Sequence, residues 1–146
     1  MKISLPKQEY AEIHVGENQL FKVTKVVYNE ETHTLRISYR DKYGAYNSEF
    51  FRLETRETED APYTPNPQGL KMFAIFYRGV TGEKNAEDAD PEELVDKYFM
   101  ADVKEGAEKR DGNGYWMNVW SKRPTDLTFD DIPDKPKEES EEVDEW

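Results

Sequence analysis

Between Thr34 and Arg40 the chain alternates, with Leu35, Ile37 and Tyr39 interleaved among Thr34, Arg36, Ser38 and Arg40. That period of two belongs to a strand with one face in a core. Upstream, Phe21, Val23 and Val27 share one parity, with Lys22, Thr24 and Tyr28 on the other. The polar turn Asn29-Glu30-Glu31-Thr32 joins the two runs, and Asp41-Lys42-Tyr43-Gly44 leads into a third, Ala45 to Leu53. These predict a three-stranded antiparallel meander, with Tyr10–Val15 as a further strand or an extension of the first. Residues 54–68, with Pro62, Pro65 and Pro67, read as a loop. Leu70, Phe73, Ala74 and Tyr77 then follow helical spacing, and Met72, Ile75 and Phe76 make the other faces apolar too, predicting a buried helix that ends near Gly79 and Gly82. Asp90-Pro91-Glu92-Glu93 predicts a second, short helix running to about Lys97. Two strands, about 98–104 and 115–121, flank a glycine-rich loop over 105–114. Pro124 closes the ordered part.

The expected class is therefore all-β with one or two inserted helices. Three meandering strands, a helix and a final hairpin match the order of a five-stranded oligonucleotide-binding (OB) barrel. One such domain is expected over residues 1–124. Residues 125–146 read as a disordered acidic tail, too charged and too poor in apolar groups to offset the entropy of folding.

Charge sharpens this division. The net charge is −12, but residues 129–146 hold nine carboxylates and two lysines, and the other 128 residues are only mildly acidic. A cationic stripe on the body is compatible with that balance. Aromatic residues make up 13% of the chain against 36% hydrophobic overall, so large rings must supply much of the burial. The chain has no cysteine, which excludes disulfides, thiolate zinc sites and cysteine nucleophiles. Met1-Lys2-Ile3-Ser4-Leu5-Pro6 lacks the apolar run of a signal peptide, and no stretch approaches the ~20 apolar residues of a membrane span. The expectation is a cytoplasmic protein, in a bacterial cell or a phage-infected host, with no membrane partner.

Sorting side chains by parity exposes a candidate surface. With Leu35, Ile37, Phe51 and Leu53 inward, Arg36, Arg40, Tyr46, Phe50 and Arg52 point outward. With Met117 and Val119 inward, Trp116, Asn118 and Trp120 point outward, flanked by Lys109, Arg110, Lys122 and Arg123. Exposed rings can stack unpaired bases, and the cations can hold phosphates. Tyr46, Phe50, Trp116 and Trp120 are the stacking candidates. Arg36, Arg40, Arg52, Lys109, Arg110 and Lys122 are the phosphate candidates. Duplex DNA hides its base faces, so the expected ligand is a single strand.

The tail begins Thr128-Phe129-Asp130-Asp131-Ile132-Pro133-Asp134 and ends Glu141-Glu142-Val143-Asp144-Glu145-Trp146. Acidic residues with isolated hydrophobes suit docking in a basic pocket, so Phe129, Asp130, Asp131, Ile132, Pro133 and Trp146 are the partner-binding candidates. The same segment could also fold back on the domain's own cations and compete with DNA. Asp130-Asp131-Ile132-Pro133 resembles the acidic tips of bacterial and phage single-stranded-DNA-binding proteins. It differs in being internal and in a chain that ends in Trp rather than Pro-Phe. Leu70–Arg78 followed by Leu94–Val119 resembles small phage-encoded proteins of replication and recombination modules. The resemblance implies sequence-independent single-strand binding in replication, recombination or repair, partner proteins recruited by the tail, and scope for a homo-oligomer.

Catalysis finds little support. His14 and His33 are the only histidines, and no H-x-E, H-E-x-x-H, Gly-x-Ser-x-Gly or Walker spacing occurs. Neither cofactor nor metal is expected. The rival reading is an acidic protein-interaction module, a regulatory or anti-defence factor that does not bind DNA.

Overall fold

The structure, a computed structural model, describes residues 1–5, 13–112 and 115–134. Five strands form one antiparallel sheet: β1 (Gly16–Asn29), β2 (Thr34–Arg40), β3 (Tyr46–Arg52), β6 (Tyr98–Glu108) and β7 (Tyr115–Pro124). A two-residue ladder, β4 (Glu54–Thr55) with β5 (Thr64–Pro65), lies within the proline-rich loop. Helix α1 (Pro67–Thr81) separates β5 from β6. The sheet order is β3-β2-β1-β6-β7. β1 holds the centre because it is long enough to serve two neighbours. Its first half pairs with β6 and its second half with β2, with register shifts in both ladders. Such irregularities bend a strand and increase its twist.

The expected alternation holds in β2 and most of β3, except that Ser38, between Ile37 and Tyr39, is buried as well. Leu35, Ile37, Tyr39 and Phe51 are buried, while Arg36, Tyr46, Phe50 and Arg52 are exposed. Rings fill the core: Tyr39 meets Phe99 edge-on at 5.0 Å, Phe21 stacks on Phe99 at 5.5 Å, and Phe51 meets Phe76 of α1 at 5.7 Å. Offset and edge-on pairs of this kind are favoured over face-to-face contact.

The edge strands β3 and β7 share no backbone ladder, so the sheet is not closed. Instead α1 reaches both. A Cβ on Gly69 would lie 1.8 Å from the Arg52 carbonyl oxygen of β3, and one on Gly79 would lie 2.8 Å from the Lys122 carbonyl oxygen of β7. Only glycine allows the helix so near both strands. Gly79 thus sits inside the helix, and Gly82, at φ 77°, is the residue that ends it. An ion pair also spans the gap: Lys122 Nζ of β7 lies 2.9 Å from Glu49 Oε2 of β3. Glu49 in turn accepts from the Tyr39 hydroxyl, which receives the Asn47 amide at 3.0 Å. Burial first, then the Glu49 charge, raises the Tyr39 hydroxyl far above its ordinary value, so it remains a donor.

Several expectations change. The helix is not buried on all sides, since the apolar Leu70, Met72 and Ile75 are exposed. The second helix reduces to a 3₁₀ turn, Pro91–Leu94, with the Asp90 side chain accepting from the Glu92 N–H at 3.1 Å. β6 continues to Glu108, into the stretch expected as loop. Of the strand expected over 10–15, only 13–15 lie among the described residues, and they are not in a strand. Residues 125–134 contact the sheet through Phe129 and the β2–β3 turn through Lys42 and Tyr43, whereas 135–146 lie outside the described residues.

Candidate nucleic-acid interface

The outer surface of the sheet carries aromatic rings with cations set over them. On the β2–β3 flank, Phe50 is 65% exposed and Tyr46 71% exposed. The Arg36 guanidinium lies 5.8 Å from the Phe50 ring centre, and its Nε donates to Ser48 Oγ at 3.4 Å. Register explains the pairing, because Arg36 and Phe50 are directly opposed across the β2–β3 ladder, as are Arg40 and Tyr46. Arg52 is exposed at the end of β3.

The β6–β7 flank repeats the arrangement. Trp116 and Trp120 are 61% and 50% exposed. Lys109 Nζ lies 5.1 Å from the Trp116 ring and Lys104 Nζ 5.1 Å from the Trp120 ring. A cation over an indole face is attracted by the ring quadrupole. Arg110 is exposed in the turn between the two strands. Arg123 is already committed: it pairs with Asp102 at 2.9 Å, bonds the Asn18 side chain, and reaches the Ser121 carbonyl at 2.6 Å. The Asn18 N–H and Arg123 together hold the Asp102 carboxyl below its ordinary range. This outward carboxylate therefore faces the flank already paired.

Two of the candidate residues have other duties. Lys122 points inward, to Glu49 and over the Phe76 ring at 5.2 Å, not toward an external phosphate. The cause is an extra residue in β7: Met100 pairs with Arg123 and Asp102 with Trp120, so two steps on β6 match three on β7. Ser121 takes a φ of 55° there, and the parity flips after it. Arg40 is outward as expected but half-buried, because Phe129 covers it with the guanidinium 4.8 Å from the ring centre.

Phe129 belongs to a strap over 125–134 that folds back on the sheet. Its ring also meets Tyr98 edge-on at 5.0 Å, beside Lys22, whose Nζ lies 5.6 Å from the Tyr98 ring. Further along, Lys42 Nζ donates to the Ile132 carbonyl at 2.8 Å and pairs with Asp134 at 3.0 Å, and the Tyr43 hydroxyl donates to the Pro133 carbonyl at 2.8 Å. Thr128 and Asp131 form a reciprocal capping box around the 3₁₀ turn Phe129–Asp131, and Asp130 is exposed on it. Of the tail candidates, Phe129, Asp130, Asp131, Ile132 and Pro133 thus lie in this strap, and Trp146 lies outside the described residues.

The sequence reading overlooked Lys22, Lys42, Tyr98 and Lys104. Parity points to Lys104, because Phe99, Ala101 and Val103 are buried and the alternate positions face out. Lys22 follows from the burial of Phe21 and Val23. Lys42 and Tyr98 acquire their place only through the strap. His33, by contrast, is a packing residue: its Nδ1 lies 2.7 Å from Glu54 Oε1 and its ring stacks on Tyr63 at 3.6 Å. Among the described residues no group of three or more His, Cys, Asp or Glu side chains is placed to hold a metal ion, and no helix is long and apolar enough to cross a membrane. Comparison with known proteins finds no matching family model, no matching curated protein and no matching solved structure.

Proposed function

We propose that this chain is a non-catalytic, largely sequence-independent binder of single-stranded DNA. The observation that carries the reading is the pairing of exposed rings with cations on one surface: Phe50 with Arg36, Trp116 with Lys109, and Trp120 with Lys104. Each ring is at least half exposed, and its flexible cation can turn aside from the face to meet a phosphate while a base takes its place. Stacking of this kind uses the π-face that all bases share, so it favours unpaired strands without selecting sequence.

Topology supports an OB-like barrel as the scaffold. The order β3-β2-β1-β6-β7 leaves one seam, between β3 and β7, and a full OB barrel would close there. Here α1 and the Lys122–Glu49 pair bridge that seam. In OB barrels the second and third strands and the hairpin loops face the ligand, which accords with Phe50, Arg36 and the Lys109–Arg110 turn. The fitting setting is replication, recombination or repair in the bacterial cytoplasm, for a phage or prophage protein whose acidic end recruits partner proteins. The strap lies over Arg40 and Tyr98, so strand and strap contend for that part of the surface.

The net charge of −12 favours the rival reading, an acidic protein-interaction module. Titration with oligo(dT), followed by tryptophan fluorescence, separates the two. DNA binding quenches Trp116 or Trp120 and weakens as salt rises, with a slope of about 0.7 per phosphate neutralised. Unchanged fluorescence and no retention of the oligonucleotide on a filter would dismiss the DNA reading.

A further inference from the structure

Helix α1 leaves part of its apolar surface uncovered by the sheet. Beside it runs segment 83–91, pinned by Arg78, whose guanidinium donates twice to the Ala86 carbonyl, at 3.2 and 2.7 Å. Helix and segment enclose a groove of about 450 Å³. Leu70, Phe73, Ala74 and Tyr77 form its floor, with Ala86 and Pro91 on the opposite wall. The floor residues stand at i, i+3, i+4 and i+7, one continuous ridge along the helix.

The rim is strongly negative. From Glu83 to Glu93 the chain carries six carboxylates and one lysine, and Glu87 and Asp88 line the groove itself. The field reaches the floor: the Tyr77 hydroxyl is pushed above its ordinary value by burial first, then by Glu83, Glu93 and Asp90. Among the described residues that line the groove Arg78 is the one cation, and the Ala86 carbonyl holds it.

Charge decides between occupants. A second copy of the chain brings a net −12, and the segment 135–146 brings six carboxylates against two lysines. Both are repelled by the rim. We propose that the groove docks a cationic amphipathic helix of a partner protein, with leucine- or phenylalanine-type side chains on the α1 ridge and lysines or arginines against Glu87 and Asp88. A helix suits the floor because its own apolar stripe repeats at the spacing of that ridge. Opposite charge along the rim speeds encounter and fixes orientation. The site is separate from the sheet surface and does not depend on DNA binding.

The test is titration of the ¹⁵N-labelled full chain with a Leu/Lys amphipathic helical peptide and its Leu/Glu counterpart. The Leu/Lys peptide is expected to shift amides over 70–78 and 86–91 to saturation, with affinity falling as salt rises; the Leu/Glu peptide leaves them in place. Ala74→Arg sets a cation over the floor, and the pair Glu87→Lys, Asp88→Lys reverses the rim on an exposed loop that does not carry the core. Either change is expected to weaken the Leu/Lys peptide ~10-fold or more. Shifts confined to 135–146, or the same affinity in the Glu87/Asp88 variant, reduce the effect to diffuse charge attraction and overturn the proposal. Self-association of the unliganded protein that Ala74→Arg abolishes also overturns it, by giving the groove to a second copy.

Discussion

The two flanks of the sheet carry the same chemistry in different states of access. On β6–β7, Trp116 and Trp120 stand out from the surface with Lys109 and Lys104 over them. On β2–β3, Phe50 and Arg36 are similarly presented, but four residues along β2 Arg40 lies under Phe129 of the strap. Strand alternation determines which way a side chain points. What lies on top of it is determined by a segment some ninety residues further along, through contacts such as Lys42 with the Ile132 carbonyl. Under the proposed function, a single strand would meet one flank open and the other partly covered.

The largest expected effect tests the open flank. Each stacked base is worth ~1–3 kcal/mol, so Trp116→Ala or Trp120→Ala should weaken oligo(dT) ~5- to 150-fold, and the double variant more. Fluorescence anisotropy of a labelled oligonucleotide measures this without relying on the indoles removed. Losses under two-fold in the double variant would shift the interface to β2–β3. Next comes Lys122→Met, which tests the inward assignment. It leaves the Glu49 carboxylate without its cation in a largely enclosed site, at a cost of ~1–3 kcal/mol in urea unfolding. Oligonucleotide affinity should stay the same; a parallel drop in binding with no change in stability would return Lys122 to the outer surface.

A smaller effect, of opposite sign, is expected on the covered flank. Phe129→Ala removes the ring over Arg40 and should tighten oligo(dT) binding ~2- to 5-fold, consistent with ~0.5–1 kcal/mol for an exposed cation–π contact. Weaker binding would make Phe129 part of the DNA surface instead of its competitor. The smallest effect concerns Asp102, which ties β6 to Arg123 of β7 and to Asn18. Its carboxyl is held below the ordinary 3.8, so its contribution is full above that value and is lost as pH falls through the depressed one. Asp102→Asn should flatten stability against pH below about pH 4 and leave it parallel to the parent above; thermal unfolding across pH 2–7 reads the slope.

Much of the fold was legible in the sequence because it depends on local period. Alternation over 34–40 and 46–52 gives β2 and β3 with their faces, and helical spacing gives α1. The rest depended on tertiary contact. The extra residue at Ser121 leaves no mark on composition, yet it turns Lys122 from the outer surface to the core. The strap has the composition of a disordered tail, and charge and proline content alone do not reveal that Phe129 finds Arg40 and Tyr98. Likewise the apolar positions around α1 suggested burial on every side, whereas Gly69, Phe76, Tyr77 and Val80 are buried and Leu70, Met72 and Ile75 are exposed. For the candidate interface, the rings and the cations Arg36 and Lys109 were readable one by one, but Lys104 and the pairing of ring with cation were not, because pairings such as Lys104 with Trp120 cross from strand to strand.

The two helix glycines have a consequence for how the molecule behaves in a crowd. β3 and β7 each end the sheet with a row of backbone donors and acceptors, an invitation to strands of other chains. α1 can shield both rows only by lying almost on the backbone at Arg52 and Lys122, where a methyl group would not fit. An alanine at Gly69 or Gly79 would lift the helix like a lid on a pebble and uncover those rows. The first symptom would be precipitation and fibre-like stacking at concentrations where the parent stays clear.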